Sequence, residues 1–137
     1  MHPIPPDLDL SAYVGSELGS LILGPYAITF DFFSASGISP GATTGVLRIV
    51  AQGPWELHDP KGAMVLDSKG YAQRTPCALH TLLSSRVESV MIAAPDKIAL
   101  SFETGHRLSL FTEIGGFENL SITIPKTPGG AFPEYIF

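Results

Sequence analysis

The residues best suited to acid–base or ligand chemistry fall in two places. Glu56, His58 and Asp59 stand close together in the first half of the chain, and an imidazole beside carboxylates can act as a general base or a metal ligand. Glu103, His106 and Glu113 make a looser group in the second half. A two-residue turn at Thr104-Gly105 would set Glu103 and His106 facing each other across a hairpin. Each group also has a plainer reading. Asp59-Pro60-Lys61-Gly62 carries Asp and Pro where a β-turn prefers them, which puts His58 at a strand end in solvent. A Glu–His pair across a hairpin is an ordinary surface feature. His80 follows Leu79 off the apolar face of its element, with no matching group near it in the sequence, so it reads as a surface residue.

Cys77 occupies the second position of a helix entered through Thr75-Pro76, where a helix N-terminus favours the thiolate. No base can be placed beside it, so a small inert thiol is expected. Glu56 and Glu118 each follow an aromatic residue, Trp55 and Phe117. If the halves of the chain pack about a two-fold axis, these carboxylates become mates that cap loop amides or line a shared cleft. The sequence contains no Gly-rich phosphate loop, nucleophile elbow, paired CxxC or HExxH. No cofactor and no metal are called for.

A chain of 137 residues, 45% hydrophobic and only 15% charged, must fold, and its length suits one domain. Fourteen glycines and twelve prolines among Ile, Leu, Val and Phe favour many short strands over a helical bundle. A net charge of −5 with eight Lys and Arg residues provides no basic stripe for phosphates, so neither nucleic acid nor an anionic membrane is expected as a partner. A single cysteine and an N-terminus without basic and apolar signal regions point to cytoplasmic residence.

The elements that must position these residues come from an internal duplication. At an offset near 70, Leu10, Tyr13, Val14, Leu18, Leu21, Ile22 and Leu23 fall on Leu79, Leu82, Leu83, Val87, Val90, Met91 and Ile92. After a one-residue slip, Ile28, Phe30 and Phe32 meet Ile98, Leu100 and Phe102, with the period of two that marks half-buried strands. Leu47 and Ile49 then match Leu108 and Leu110, and Pro54-Trp55-Glu56 matches Gly116-Phe117-Glu118.

The expected strands are 16–23, 26–33, 46–51, 55–58 and 63–67, then 87–93, 97–103, 107–112 and 117–124, with a helix over 76–85. The fold class is α+β, mainly β: two divergent helix-plus-β-meander repeats, about 7–67 and 75–124, forming one antiparallel sheet or a partly open barrel. Residues 34–44 form a long loop in place of the second repeat's tight turn. The apolar tail 125–137 either folds back over its own sheet, which is favoured, or docks on a second subunit.

The stretch from Ile98 through Glu103, Gly105 and Arg107 to Leu110, followed by Phe117-Glu118, resembles a group of small uncharacterised bacterial β-rich proteins. Some of these are carried beside polymorphic toxins as immunity proteins. The resemblance covers about a third of the chain and departs from the group's usual form at Asn119-Leu120, where a tryptophan is commoner; no functional residue carries over.

The function expected is therefore that of a non-enzymatic binding protein of immunity type, whose acidic surface meets a basic, toxin-like protein partner. The alternative is a small-ligand protein with a pocket between the two repeats, lined by Tyr26, Trp55, Glu56, Phe117 and Glu118. Least favoured is a hydrolase-like enzyme using His58 or His106. A homodimer is expected from the tail and from open sheet edges.

Overall fold

A computed structural model describes residues 4, 6–25, 27–33, 47–72, 78–93, 96–112, 120–123 and 134–136. The described part is mainly β, and its strands form where alternation predicts them. After β1 (Glu17–Leu23), every second side chain of β2 (Ile28–Phe33) and β3 (Leu47–Ala51) is apolar. Those of β2 and β3 turn inward: Ile28, Phe30, Phe32, Leu47 and Ile49 are buried, while Thr29, Asp31 and Arg48 take the opposite face. The same rule builds β4 (Trp55–His58), β7 (Lys97–Phe102), β8 (Arg107–Phe111) and β9 (Leu120–Thr123), and β5 (Met64–Asp67) and β6 (Val87–Ala93) stand at the outer edges of the second sheet. A last short strand, β10 (Glu134–Ile136), pairs antiparallel with β9, so this part of the tail folds back as an edge strand of its own chain.

The strands make two separate antiparallel sheets rather than one sheet or a partly open barrel. The first has the order β1-β2-β3-β9-β10 and the second β6-β7-β8-β4-β5. Each sheet is thus a three-strand meander from one half of the chain, completed by a hairpin from the other half. Their inner faces share one core cluster, in which Phe32 and Phe102 stack with ring centroids 6.5 Å apart. Fully burying a Phe or Leu side chain contributes about 1.5–3 kcal/mol, so the apolar rows of both sheets are stabilised only when they meet.

The registers of the two meanders run in parallel. The pair β1/β2 slips between Leu18 and Ser20, and β6/β7 slips 69 residues later, between Val87 and Ser89. Where the two meanders begin they pair with each other. Gly15 N–H donates to the Val87 carbonyl (2.7 Å) and Ser84 N–H to the Leu18 carbonyl (2.7 Å); Leu18 N–H donates to Ser85 (3.0 Å) and Val87 N–H to Ser16 (2.8 Å). Glu17 and Arg86 bridge between these bonds. Gly15 (φ 92°) and Ser84 (φ 66°) hold the same left-handed turn on either side, and Ser84 is the only non-glycine with positive φ among the described residues.

Several expectations change in detail. The helix over 76–85 is a short 3-10 helix at Ala78–Leu82, with Leu79 and Leu82 buried; residues 73–77 lie outside the described ones. The one α-helix among the described residues, α1 (Ser68–Ala72), has no counterpart in the sequence reading and follows Asp67, whose carboxylate accepts from Gly70 N–H (2.8 Å). In sheet register Phe30 faces Ile49 and Leu100 faces Leu108. Ile49 therefore stands at the level of Leu108 and Ala51 at that of Leu110, two residues from the alignment read in the sequence. The loop 34–44 lies outside the described residues.

Candidate ligand-binding groove

Strand alternation sends neighbouring residues of β4 to opposite sides of the second sheet. Trp55 and Leu57 enter the core, while Glu56 and His58 stay on the outer face. On β8 the buried Leu108 and Leu110 alternate with Arg107, Ser109 and Phe111 on the outer face, and on β7 Lys97, Ala99 and Ser101 share that face. Register then sets Ala99, Ser109 and Glu56 in one row and Ser101, Arg107 and His58 in the next. The centre of the face is small: Ala99 is 2% and Ser109 1% exposed. Longer side chains stand around this floor and leave a groove of about 400 Å3. One end is closed by the Asp59–Gly62 turn resting on the β7–β8 loop. A Cβ at Gly105 would lie 2.8 Å from Pro60 Cβ, and Gly105 has φ +90°, so only glycine fits there.

The charges around the groove are unequally engaged. Asp59 spends its Oδ1 on the N–H groups of Lys61 and Ala63, both at 2.9 Å, as the turn requires. Glu56 Oε2 stands 3.7 Å from His58 Nε2. Lys97 Nζ lies 5.8 Å from the centroid of the Phe111 ring. Arg107 is exposed and makes no ion pair among the described residues. Two buried polar atoms in this site, His58 Nδ1 and Ser109 Oγ, have no hydrogen-bond partner among the described residues. An unsatisfied buried group costs about 1–3 kcal/mol, so a polar molecule that reaches both would be stabilised there. A third orphan, Ser85 Oγ, is far from this face in the chain, where the two meanders meet.

On the outer face of the first sheet the corresponding row is differently furnished. Arg48 pairs across the strands with Asp31 as Arg107 does with Ser101. Arg48 Nε donates to Asp31 Oδ1 (2.8 Å) and Nη2 to Oδ2 (2.9 Å), a bidentate clamp on a carboxylate that is itself buried. The hydrogen bond and charge of Asp31 raise the Arg48 guanidinium above its ordinary value.

Of the residues expected to line a pocket between the repeats, Trp55 and Glu56 part company. Trp55 is buried and borders a cavity of about 230 Å3 with Pro25, Ala51, Ser68 and Tyr71. The Tyr71 ring is tilted against it with centroids 6.1 Å apart, and Tyr71 Oη donates to the Gly24 carbonyl. Glu56 belongs to the groove on the other side. Tyr26, Phe117 and Glu118 lie outside the described residues, as do Cys77 and Glu113. By register the level that Glu56 holds against Ser109 is held in the first sheet by Ser121 against Val50.

The Asp59 turn forms as expected, closed by Gly62 N–H on the Asp59 carbonyl (2.9 Å). His58, however, is not in open solvent, because its side chain is only 26% exposed. The β7–β8 connection is a three-residue loop, with Phe102 N–H donating to the His106 carbonyl (2.9 Å), so Glu103 does not face His106. Glu103 Oε1 accepts from Arg86 N–H (3.3 Å), and His106 Nδ1 is 2.9 Å from Thr104 Oγ1. His80 is exposed.

Lys97, Arg107 and Ser109 do not stand out in the sequence. Their signal was the polar phase of Arg107-Leu108-Ser109-Leu110, but nothing local says that β4 lies beside it. Among the described residues no group of three or more His, Cys, Asp and Glu could hold a metal ion, and no helix is long and apolar enough to cross a membrane. Compared with family models, with curated proteins and with solved structures, the chain finds no match.

Proposed function

We propose that this chain is a non-enzymatic binding protein that holds a small polar ligand in the groove on the outer face of its second sheet. The observation that carries the reading is the pair of orphaned polar atoms, Ser109 Oγ and His58 Nδ1, in a polar concavity of about 400 Å3. A volume of that size suits a small molecule. The same geometry weighs against catalysis. Among the described residues no base stands within hydrogen-bond reach of the Ser109 hydroxyl to activate it as a nucleophile, and His58 has one ring nitrogen buried and the other beside Glu56. A fragment screen followed by amide shifts tests the reading: small polar molecules should perturb Glu56, His58, Arg107 and Ser109 together, and perturbations confined to the Trp55 cavity would reject it.

The reading includes two divergent copies of one unit, each a short helical turn followed by a meander, that have exchanged their terminal hairpins. Its support is the 69-residue repeat of the slipped register and the reciprocal hydrogen bonds around Glu17 and Arg86. On this basis the groove belongs to both copies, with Glu56 and His58 from the first and Lys97, Arg107 and Ser109 from the second.

An immunity-type role against a basic protein partner is the second reading. It is favoured by the net charge of −5 and by exposed Val14 and Leu83, which stand at matching places beside the central pairing. Val14→Asp and Leu83→Asp should then abolish capture of such a partner; capture that survives both would exclude this surface.

A further inference from the structure

We infer that the groove recognises an oxyanion, a carboxylate or phosphate group on a small ligand, through Arg107 with help from Lys97 and the Ser109 hydroxyl. This rests on the groove reading above and names its ligand chemistry. The two carboxylates of the groove are engaged within the chain, Asp59 in its own turn and Glu56 beside His58, and its cations are Lys97 and Arg107. A guanidinium offers a planar fork that matches two oxygens of a carboxylate or phosphate. The same molecule displays that match at Arg48, where Asp31 fills the fork. At the equivalent register in the second sheet, Ser101 replaces the aspartate, and the fork of Arg107 is open to the groove. Ser109, one row along β8, is 1% exposed and has an unpartnered hydroxyl that can donate to a bound oxygen from below. The ligand's anion would thus do for Arg107 what Asp31 does for Arg48, supplied from solution instead of from the chain.

The test is a titration of the full chain at low salt with sodium phosphate, sodium citrate and glycerol in separate arms, read by backbone and arginine side-chain NMR shifts. Saturable shifts at Arg107 and Ser109 with phosphate alone, with citrate alone or with both are expected, and the responding arm identifies the anion class. Arg107→Gln should weaken binding about tenfold or more. Ser101→Asp, which rebuilds the Asp31–Arg48 arrangement in the second sheet, should weaken it comparably without lowering the melting temperature. Glycerol or another neutral fragment shifting the groove while neither anion does would overturn the oxyanion assignment and leave the groove reading intact. No molecule of any class shifting it would overturn both. Anion binding that is unchanged in Arg107→Gln would also contradict the inference, whatever Ser101→Asp does.

Discussion

Arg48 and Arg107 occupy the same register on the outer faces of the two sheets, yet among the described residues one is ion-paired and the other is not. Across the strand from Arg48 is Asp31, buried and doubly hydrogen-bonded to it; across from Arg107 is Ser101, too short to make such a clamp. One residue type therefore separates an arginine paired within its own sheet from one with no ion pair among the described residues. Sheets of the same strand order need not share a function, because the buried rows fix the architecture while the outward rows are free to diverge.

The comparison can be broken first in the core, where the halves should behave alike. Phe32→Ala and Phe102→Ala should each destabilise by about 3–5 kcal/mol in urea unfolding. Because the two rings stack, the double variant should lose less than the sum. A large cost at one and a small cost at the other would show that the sheets do not share their core equally.

Next come the arginines. Arg48→Ala strands the buried Asp31 carboxylate and should cost about 1–3 kcal/mol, the lower part of that range allowing for the half-exposed guanidinium. Arg107→Ala should stay within about 0.5 kcal/mol of the parent. Equal costs would erase the distinction between the faces.

The left-handed turns sharpen it further. Gly15 and Ser84 share positive φ, so Gly15→Ser should cost about 1 kcal/mol. Ser84→Gly should gain less than about 1 kcal/mol, since glycine also loosens the unfolded chain. Thermal unfolding reads both.

The smallest effect is at Asp9, whose carboxylate accepts from Ser11 N–H (2.9 Å) and is held below its usual 3.8 by hydrogen bonding to Ser11. A lowered folded value contributes stability above the unfolded value and loses it as the pH falls through the folded one. The melting temperature of Asp9→Ala should therefore fall slightly below the parent's at neutral pH, and the gap should close as the pH is taken below 3.8.

Most strands were legible because burial on one face writes a period of two into residues such as Ile28, Phe30 and Phe32. The match of Leu10, Leu18 and Ile22 with Leu79, Val87 and Met91 likewise carries the offset at which the two registers slip. That same period hid the level of β3 and β8. A shift of two residues keeps every apolar side chain on the same face, so Leu47 and Ile49 align with Leu108 and Leu110 as well as at the true level. The pairing of β4 with β8 and of β9 with β3 was invisible for another reason: no local pattern states which meander β4 or β9 joins. The groove was half legible for the same cause. Glu56 and His58 stood out as a polar cluster, whereas Arg107 and Ser109 reach them only through the β4–β8 pairing.

The most direct measurement is a phosphate and citrate titration of the parent chain beside Ser101→Asp, followed at the Ser109 amide. The parent should give a saturable shift with one anion or both, and the aspartate variant, equally folded, should give about a tenth of the affinity or less. An identical isotherm for the two chains, or none for the parent, would contradict the claim that an open arginine opposite Ser101 is what makes the second sheet a binding face.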